Sequence, residues 1–311
     1  MLNIILPLYN DWESLDILLK KIKAVESKEN IGVCNIFVVN DSSSIPYKSD
    51  KSIFNGSCRT INLNKNIGHQ KSIAVGLSYL LKTGIRGDVI IMDSDGEDMP
   101  EDIIKLVAAA KEESGKIIFA KRKKRNESLG FILFYNIYKL IFKLFTGKEI
   151  GFGNFCFVPA SKLDKIVHLH EIWNHFSGGI MKSKLPFAEI PIDRGTRYAG
   201  KSKMNFNALV IHGLSAISVH IEAVLIRIII FSVSAITMLL LVILASVAMK
   251  LFLHITSPGW ATTVIIGSLI IIFQLFLTTL LFSFQVLNNR SLRLVLPIKD
   301  YADFIESVEE A

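Results

Sequence analysis

Short runs of apolar, mostly β-branched residues alternate along the first 120 positions with segments whose apolar residues recur three and four apart. That is the pattern of buried strands alternating with amphipathic helices. Asn3 to Leu6 reads as a first strand stopped by Pro7, with Leu8-Tyr9-Asn10 as the loop that follows. A helix is expected next, with Leu15, Leu18, Leu19 and Ile22 on one face, running to about Ala24, capped by Asn10 with Glu13 at its third position. Asn35 to Val39 forms a second expected strand, ending at Asn40-Asp41 before a serine-rich turn. Arg59 to Leu63 forms a third, leading through Asn64 to Gln70 into a helix from about Lys71 to Leu81. The fourth strand, Val89-Ile-Ile-Met92, gives way abruptly to Asp93, Asp95, Glu97 and Asp98. A helix from Pro100 to about Glu113 and a strand from Lys116 to Ala120 complete a predominantly parallel, nucleotide-binding type of α/β sheet, without internal repeats. Open sheets of this kind bind ligands beyond the carboxyl ends of their strands. Pro7 to Asp11, Asp41, and Asp93 to Glu97 are therefore expected together there.

The last third of the chain follows a different pattern. Ile228 to Met249 runs twenty-two residues without a charge and Ala261 to Leu287 twenty-seven, each more than the roughly 20 residues a membrane-spanning helix needs. Two spans, about 228–250 and 261–287, are expected as a hairpin broken at Ser257-Pro-Gly-Trp260, with Trp260 suited to the membrane interface. Lys201, Lys203 and Arg227 precede the first span and Arg290, Arg293 and Lys299 follow the second, against Lys250 in the turn. The positive-inside rule then places both termini in the cytoplasm. The expected organisation is a cytoplasmic domain over 1–205, a juxtamembrane amphipathic helix over 206–227, the hairpin over 228–287 and a cytoplasmic tail over 288–311. Met1 to Pro7 is too short and lacks the basic flank for a signal peptide.

Composition sharpens this picture in two places. The formal net charge of +7 is densest at Lys121-Arg-Lys-Lys-Arg125, just before Phe131 to Phe145, a stretch too apolar for an exposed helix. With Lys139 and Lys143 four apart, a helix over about 129–146 suits the membrane interface. The basic run then meets anionic lipid headgroups or a ligand phosphate rather than nucleic acid. Cys34, Cys58 and Cys156 lack metal-ligand spacing and fit reduced thiols in a cytoplasmic domain.

The acidic run carries the candidate chemistry. Asp93 and Asp95 are two apart, so on a regular strand they share a face, and two carboxylates that close repel unless a cation lies between them. A hard divalent ion, Mg2+ or Mn2+, is the fitting occupant, since it also bridges phosphates. The structural alternative divides the acids between a turn and a helix start. Asp98-Met-Pro-Glu101 has capping-box spacing and is expected to cap the next helix. An EF-hand loop is excluded, because Gly96 stands at loop position four and Ile104 where the bidentate Glu belongs.

These residues together resemble glycosyltransferase family 2, and within it the polyprenyl-phosphate glycosyltransferases such as dolichyl-phosphate mannose synthase and bacterial undecaprenyl-phosphate sugar transferases. The segments that carry the resemblance are Pro7-Leu-Tyr9-Asn10-Asp11, Asn40-Asp41-Ser-Ser43, Asn66-Ile-Gly68-His69-Gln70, Asp93-Ser-Asp95-Gly-Glu97-Asp98, Gly153-Asn-Phe155 and Arg197-Tyr-Ala-Gly200-Lys-Ser-Lys203-Met. The resemblance implies a GT-A type fold and an inverting transfer of a sugar from a UDP- or GDP-sugar donor to a polyprenyl phosphate. By position it implies that Asp41 binds the nucleobase, with Pro7, Tyr9 and Asp11 around it. Asp93 would face ribose or metal and Asp95 would be the principal metal ligand on the diphosphate. Glu97 stands where relatives have a metal-binding Gln, and Arg122, Arg197 and Lys203 would contact phosphates, Asp95, Arg197 and Lys203 forming the catalytic set. Asn154 stands where relatives carry an Asp often proposed as the base. A lipid phosphate is already anionic near neutral pH and needs none, whereas a sugar hydroxyl on a lipid-linked or cell-surface glycan would, with His69, His175 or Asp98 as candidates. A non-catalytic nucleotide-sugar-binding membrane partner is the rival from another class. The oligomeric state is left open, a homo-oligomer included.

Overall fold

The apolar runs do form strands, and the order of those strands in space brings the acids together. The computed structural model describes residues 1–29, 31–46, 57–122, 129–149, 151–200, 206–253, 259–291 and 294–310. They fall into two units, one of Met1–Lys139, Ile150–Val219 and Leu294–Ala311, the other of Leu140–Glu149 and His220–Arg293.

The first unit begins with β1 (Leu2–Leu8), α1 (Trp12–Glu29), β2 (Cys34–Asn40), β3 (Cys58–Leu63), α2 (His69–Lys82), β4 (Asp88–Ile91), α3 (Asp102–Glu112) and β5 (Ile117–Arg122). Helix α4 (Leu129–Thr146), whose residues from Leu140 onward belong to the second unit, leads to β6 (Cys156–Val158), α5 (Ala160–Val167), α6 (Phe176–Ser183), β7 (Phe187–Ile192) and α7 (Phe206–Ser218). A short helix α10 (Pro297–Asp300) and the strand β8 (Ile305–Glu310) close the chain. Together the strands make one sheet in the order β7-β5-β6-β4-β1-β2-β3-β8. Its centre is parallel, β1 pairing with both β2 and β4, and β2 with β3. Strand β6 runs antiparallel between β4 and β5. Residues Ile4 to Leu6, Ile36 to Val39 and Val89 to Ile91 are buried, as central strands covered on both faces require. Leu15, Leu18, Leu19 and Ile22 of α1 are buried as their spacing predicts.

Two expected helix caps are corrected. Asn10 adopts a positive φ of 51°, and its side chain accepts from the Ile45 N–H while its own N–H donates to Ser43 Oγ. The serine-rich turn therefore holds Asn10, and α1 starts from Asp11, whose carboxylate accepts from Ser14 Oγ at 2.9 Å. Asp98 caps nothing: α3 begins at Asp102 after Glu101, without a side-chain cap, because the Asp98 carboxylate is drawn inward to other partners described below.

The C-terminal tail is part of the sheet, which its polar sequence did not announce. Strand β8 pairs antiparallel with β3. The Asn62 side chain donates to Ser307 Oγ and Glu309 Oε1 at 3.1 and 2.9 Å, Arg59 pairs with Glu310, and Trp173 meets Phe304 with ring centroids 5.1 Å apart. The tail thus covers what would be an open strand edge.

In the second unit, α8 (Ile221–Ala248) runs on through a π-helical turn to Leu253, and α9 (Trp260–Ser291) returns. Both are long and apolar enough to cross a membrane, and they contain the two expected spans. Thr279 Oγ1 donates to Ser232 Oγ at 2.8 Å between them. The helix expected over 206–227 is two: α7 ends at Ser218 and α8 begins at Ile221. Helix α4 has the expected bounds and exposes Ile137, Leu140, Ile141 and Leu144.

Candidate active site

Strand β4 hands the chain to the acidic loop at Met92, whose N–H still donates to Ile5 O. Beyond it the loop folds on its own carboxylates. Asp98 is buried at 2% exposure, its Oδ2 accepting from the Asp93 N–H at 2.9 Å and its Oδ1 from Arg122 Nη2 at 3.1 Å. Asp95 Oδ1 accepts from the Glu97 N–H at 2.9 Å, and Ser94 Oγ donates to Pro7 O at 3.0 Å, tying the loop to the end of β1. Gly96 makes the turn at φ +94°, and a Cβ there would come within 2.5 Å of the Tyr198 ring.

Residues 193–200, following β7, lie over this loop. The Gly195 N–H donates to Glu97 O at 2.9 Å and the Tyr198 N–H to Asp95 O at 3.0 Å. A Cβ on Gly195 would fall 2.5 Å from Gly96 O, so the two loops approach as closely as they do only through glycine. This contact delivers two arginines. Arg194 donates through Nε and Nη2 to Glu97 Oε2 at 3.0 and 2.6 Å. Arg197 donates from Nη1 to Asp95 Oδ2 at 2.9 Å and from Nη2 to Asp11. Arg122, from the end of β5, also reaches Glu97 at 3.5 Å. Arg194 was missed by sequence reasoning, which had no motif for it. The available signal was charge balance: four loop carboxylates and Asp11 outnumber Arg122 and Arg197.

Burial first, and the neighbouring carboxylates second, raise the carboxyl pKa values of this loop. Asp93 is pushed up to about 7, by withdrawal from water first and then by Asp95, against the pull of Arg122. Its side chain keeps 37% of its surface, so solvent screens part of that effect. Burial pushes Asp98 up to about 6, helped by Asp93 and opposed by Arg122, and raises Asp95 in the same direction. His69, first residue of α2, places Nε2 3.2 Å from Asp93 Oδ1, and burial lowers its pKa.

The other expected residues are distributed around this centre. Asp41 is buried, and its two oxygens accept from the Ile67 and Gly68 N–H groups at 2.7 and 2.9 Å. It fixes the β3–α2 loop against the end of β2. Pro7 is buried and Tyr9 exposed at that edge. Asn154 holds Oδ1 buried with no hydrogen-bond partner among the described residues. His175 caps α6 by accepting from the Gly178 N–H at 3.1 Å, and its ring meets that of His212 at a tilt of 37° with centroids 4.6 Å apart. Of the basic run, Lys121 pairs with Glu189, while 123–125 and the expected phosphate contact Lys203 lie outside the described residues.

Among the described residues no three His, Cys, Asp or Glu side chains are grouped to hold a metal ion by themselves. Glu97, expected as a third ligand, has Oε2 engaged by Arg194 and Arg122. Asp93 and Asp95 nevertheless suit a hard cation, because two desolvated carboxylates with raised pKa values gain from a divalent charge. Mg2+ in particular takes one or two protein carboxylates and fills its remaining positions with substrate phosphates and water.

Comparison with known proteins adds to this geometry. The family model for glycosyl transferase family 2 matches residues 3–163. Undecaprenyl-phosphate 4-deoxy-4-formamido-L-arabinose transferases of Salmonella paratyphi A and Salmonella dublin are 28% identical over 225 residues, 67% of this chain. The match spans 64% of those relatives' own length, less than two thirds. Among solved structures, glucosyl-3-phosphoglycerate synthase from Mycobacterium tuberculosis, in complex with Mn2+, UDP-glucose and phosphoglyceric acid, aligns with a TM-score of 0.51 at 11% identity, covering 72% of this chain and 79% of that one. That likeness is one of fold, and the mostly parallel mixed sheet described above is of the GT-A type.

Proposed function

Because the chain belongs to glycosyl transferase family 2, we propose that it is a membrane-anchored inverting glycosyltransferase, moving one sugar from a UDP- or GDP-sugar to a polyprenyl phosphate. The observation that carries this reading is the loop of Asp93, Asp95, Glu97 and Asp98 at the carboxyl edge of the sheet, where Arg197 donates to Asp95, Arg194 to Glu97 and Arg122 to Asp98. Paired carboxylates beside several guanidinium groups suit a diphosphate that arrives with a divalent cation.

Each residue then has a task. Asp93 and Asp95 would hold Mg2+ or Mn2+, which when bound supplies charge to the leaving diphosphate. Arg197 lies between Asp95 and Asp11, and the in-plane N–H donors beyond those it gives to Asp95, Asp11 and Ala199 O would serve a phosphate oxygen, with Lys203 following in sequence as a second cation. Glu97 holds Arg194 and Arg122 in place by charge-assisted hydrogen bonds. Pro7, Tyr9 and Asp11 would border the nucleoside, beside the loop that Asp41 fixes and whose place at the base-binding edge it marks. Holding donor and acceptor in line at the anomeric carbon is the main contribution asked of the protein.

The acceptor phosphate brings its own negative charge, so no proton need be removed before attack. Asn154 agrees with this, since an amide is no base near neutral pH and a carboxylate there would repel the phosphate. A hydroxyl acceptor is the second reading, favoured by the contact of His69 with Asp93, an arrangement able to take up a proton.

Membrane anchoring rests on α8 and α9, and the pairing of β8 with β3 supports the topology. A strand that returns to its own sheet after the hairpin requires an even number of crossings between Val219 and Leu294. The flanking basic residues then favour the cytoplasmic side for the catalytic domain and both termini. Incubating the membrane-embedded chain with a panel of nucleotide sugars and polyprenyl phosphate, and weighing the lipid products by mass spectrometry, tests the proposal. A single added sugar on the lipid phosphate is expected, and donor binding without any lipid product would reduce the chain to a nucleotide-sugar-binding partner.

A further inference from the structure

Helix α9 turns one side to α8, where Thr279 bonds Ser232 and where Ser268 and Val286, on the same side as Thr279, are buried. Gln274 lies five residues before Thr279, about 140° around the helix from it. Thr278 is four residues beyond Gln274, on the same stripe. Both side chains are exposed, and neither has a hydrogen-bond partner among the described residues. Around them Ile270, Phe273, Leu277 and Leu281 form an apolar depression on the outer face of the helix.

A carboxamide in the middle of a membrane span cannot be left bare, because hydrocarbon offers its N–H and C=O groups no partner. An amide carries donors and an acceptor at once, so it is complementary to itself across a two-fold axis. The flanking residues recur at three- and four-residue intervals, the spacing at which two helices interdigitate. We infer that this face of α9 is the contact between two copies of this chain, with Gln274 of each copy bonded to Gln274 or Thr278 of the other. The inference rests on the membrane-spanning reading proposed above.

Full-length protein in lipid vesicles at decreasing protein-to-lipid ratio, followed by energy transfer between labelled copies, measures the association. The wild-type chain is expected to dimerise. Gln274→Leu is expected to weaken association roughly 3- to 30-fold, the range for interhelical hydrogen bonds in membranes, while Gln274→Asn retains most of it. Thr278→Cys should form a disulfide-linked dimer under mild oxidation, whereas Ile272→Cys, nearer the α8 side, should not. A monomeric wild-type chain, equal association of wild type and Gln274→Leu, or cross-linking at position 272 in place of 278 overturns the inference. Alkaline carbonate washing of the same vesicles separates the two readings. A chain that washes off overturns the membrane reading and this one with it, and a chain that resists the wash yet stays monomeric overturns this one alone.

Discussion

Arg197 donates to Asp95 across 2.9 Å, joining the loop after β7 to the end of β4 over a sequence separation of 102 residues. A guanidinium therefore rests against the carboxylate proposed as the principal cation ligand. It offsets the charge of Asp95 and would share that carboxylate with a bound divalent ion.

Removing Asp95 should accordingly separate catalysis from folding. Asp95→Ala is expected to abolish sugar transfer, and excess EDTA to do the same to the wild type, while the thermal midpoint stays within a few degrees. Arg197→Ala should retain metal affinity but lose roughly 10²-fold or more in turnover, the scale for losing one transition-state charge partner. Full turnover in EDTA would remove the cation from the mechanism.

The Glu97 cluster makes a separate prediction about donor affinity. If Glu97 serves to hold Arg194 and Arg122, then Arg194→Ala and Glu97→Gln should not add. A double-mutant cycle on nucleotide-sugar binding, read by calorimetry, is expected to give a coupling of roughly 0.5–3 kcal/mol. Additive effects would show that the contact of 2.6 Å carries no energy relevant to binding.

Stability should fall with pH in the metal-free protein. Asp93 and Asp98 have folded-state pKa values of about 7 and about 6, above the ordinary 3.8. Their contribution is fully present below about pH 4 and is lost as pH rises through those folded values. His69 and His212, with lowered pKa values, act in the opposite sense below about pH 6.5, so the clean window lies above it. Between pH 6.5 and 8 the melting temperature is expected to drop by roughly 1–3 °C, with Asp93 discounted for screening. Added Mg2+ or Mn2+ should raise it more at pH 8 than at pH 6.5, since the ion binds the deprotonated pair. A melting temperature independent of pH, with and without metal, would contradict the assignment.

Truncations should show the tail to be part of the catalytic domain. Cutting the chain after Arg227 removes β8 and bares the edge of β3, so it is expected to give unstable, aggregating protein. Replacing residues 221–291 by a flexible linker keeps β8 and should give a folded domain that binds donor. That domain is expected to glycosylate long-chain lipid poorly compared with the full chain in membranes. Equal solubility of both truncations would show that β8 contributes little.

The acceptor question turns on Asn154 and His69. With a lipid phosphate as acceptor, Asn154→Asp should leave the single-turnover rate unchanged or lower it, and His69→Ala should leave its pH dependence intact. With a hydroxyl acceptor, His69→Ala should cost the roughly 10²–10⁴-fold typical of a lost general base, at unchanged donor affinity and stability.

The sequence by itself determined the alternation of strands and helices, the acidic loop at the end of β4 and the two long apolar helices. Each is encoded locally, by residues within one turn or one strand of each other. Tertiary structure decided the partners. Asp98 looks like a helix cap in sequence, yet the arrival of Arg122 from β5 and the open Asp93 N–H draw it into the core. Glu97 Oε2 accepts from Arg194, 97 residues away in sequence, a partner that no motif near Glu97 announces. The tail shows no strand periodicity because β8 is exposed along nearly its whole length. Its place is set by hydrogen bonds to the edge of β3, and backbone pairing at an edge leaves little mark on side-chain composition.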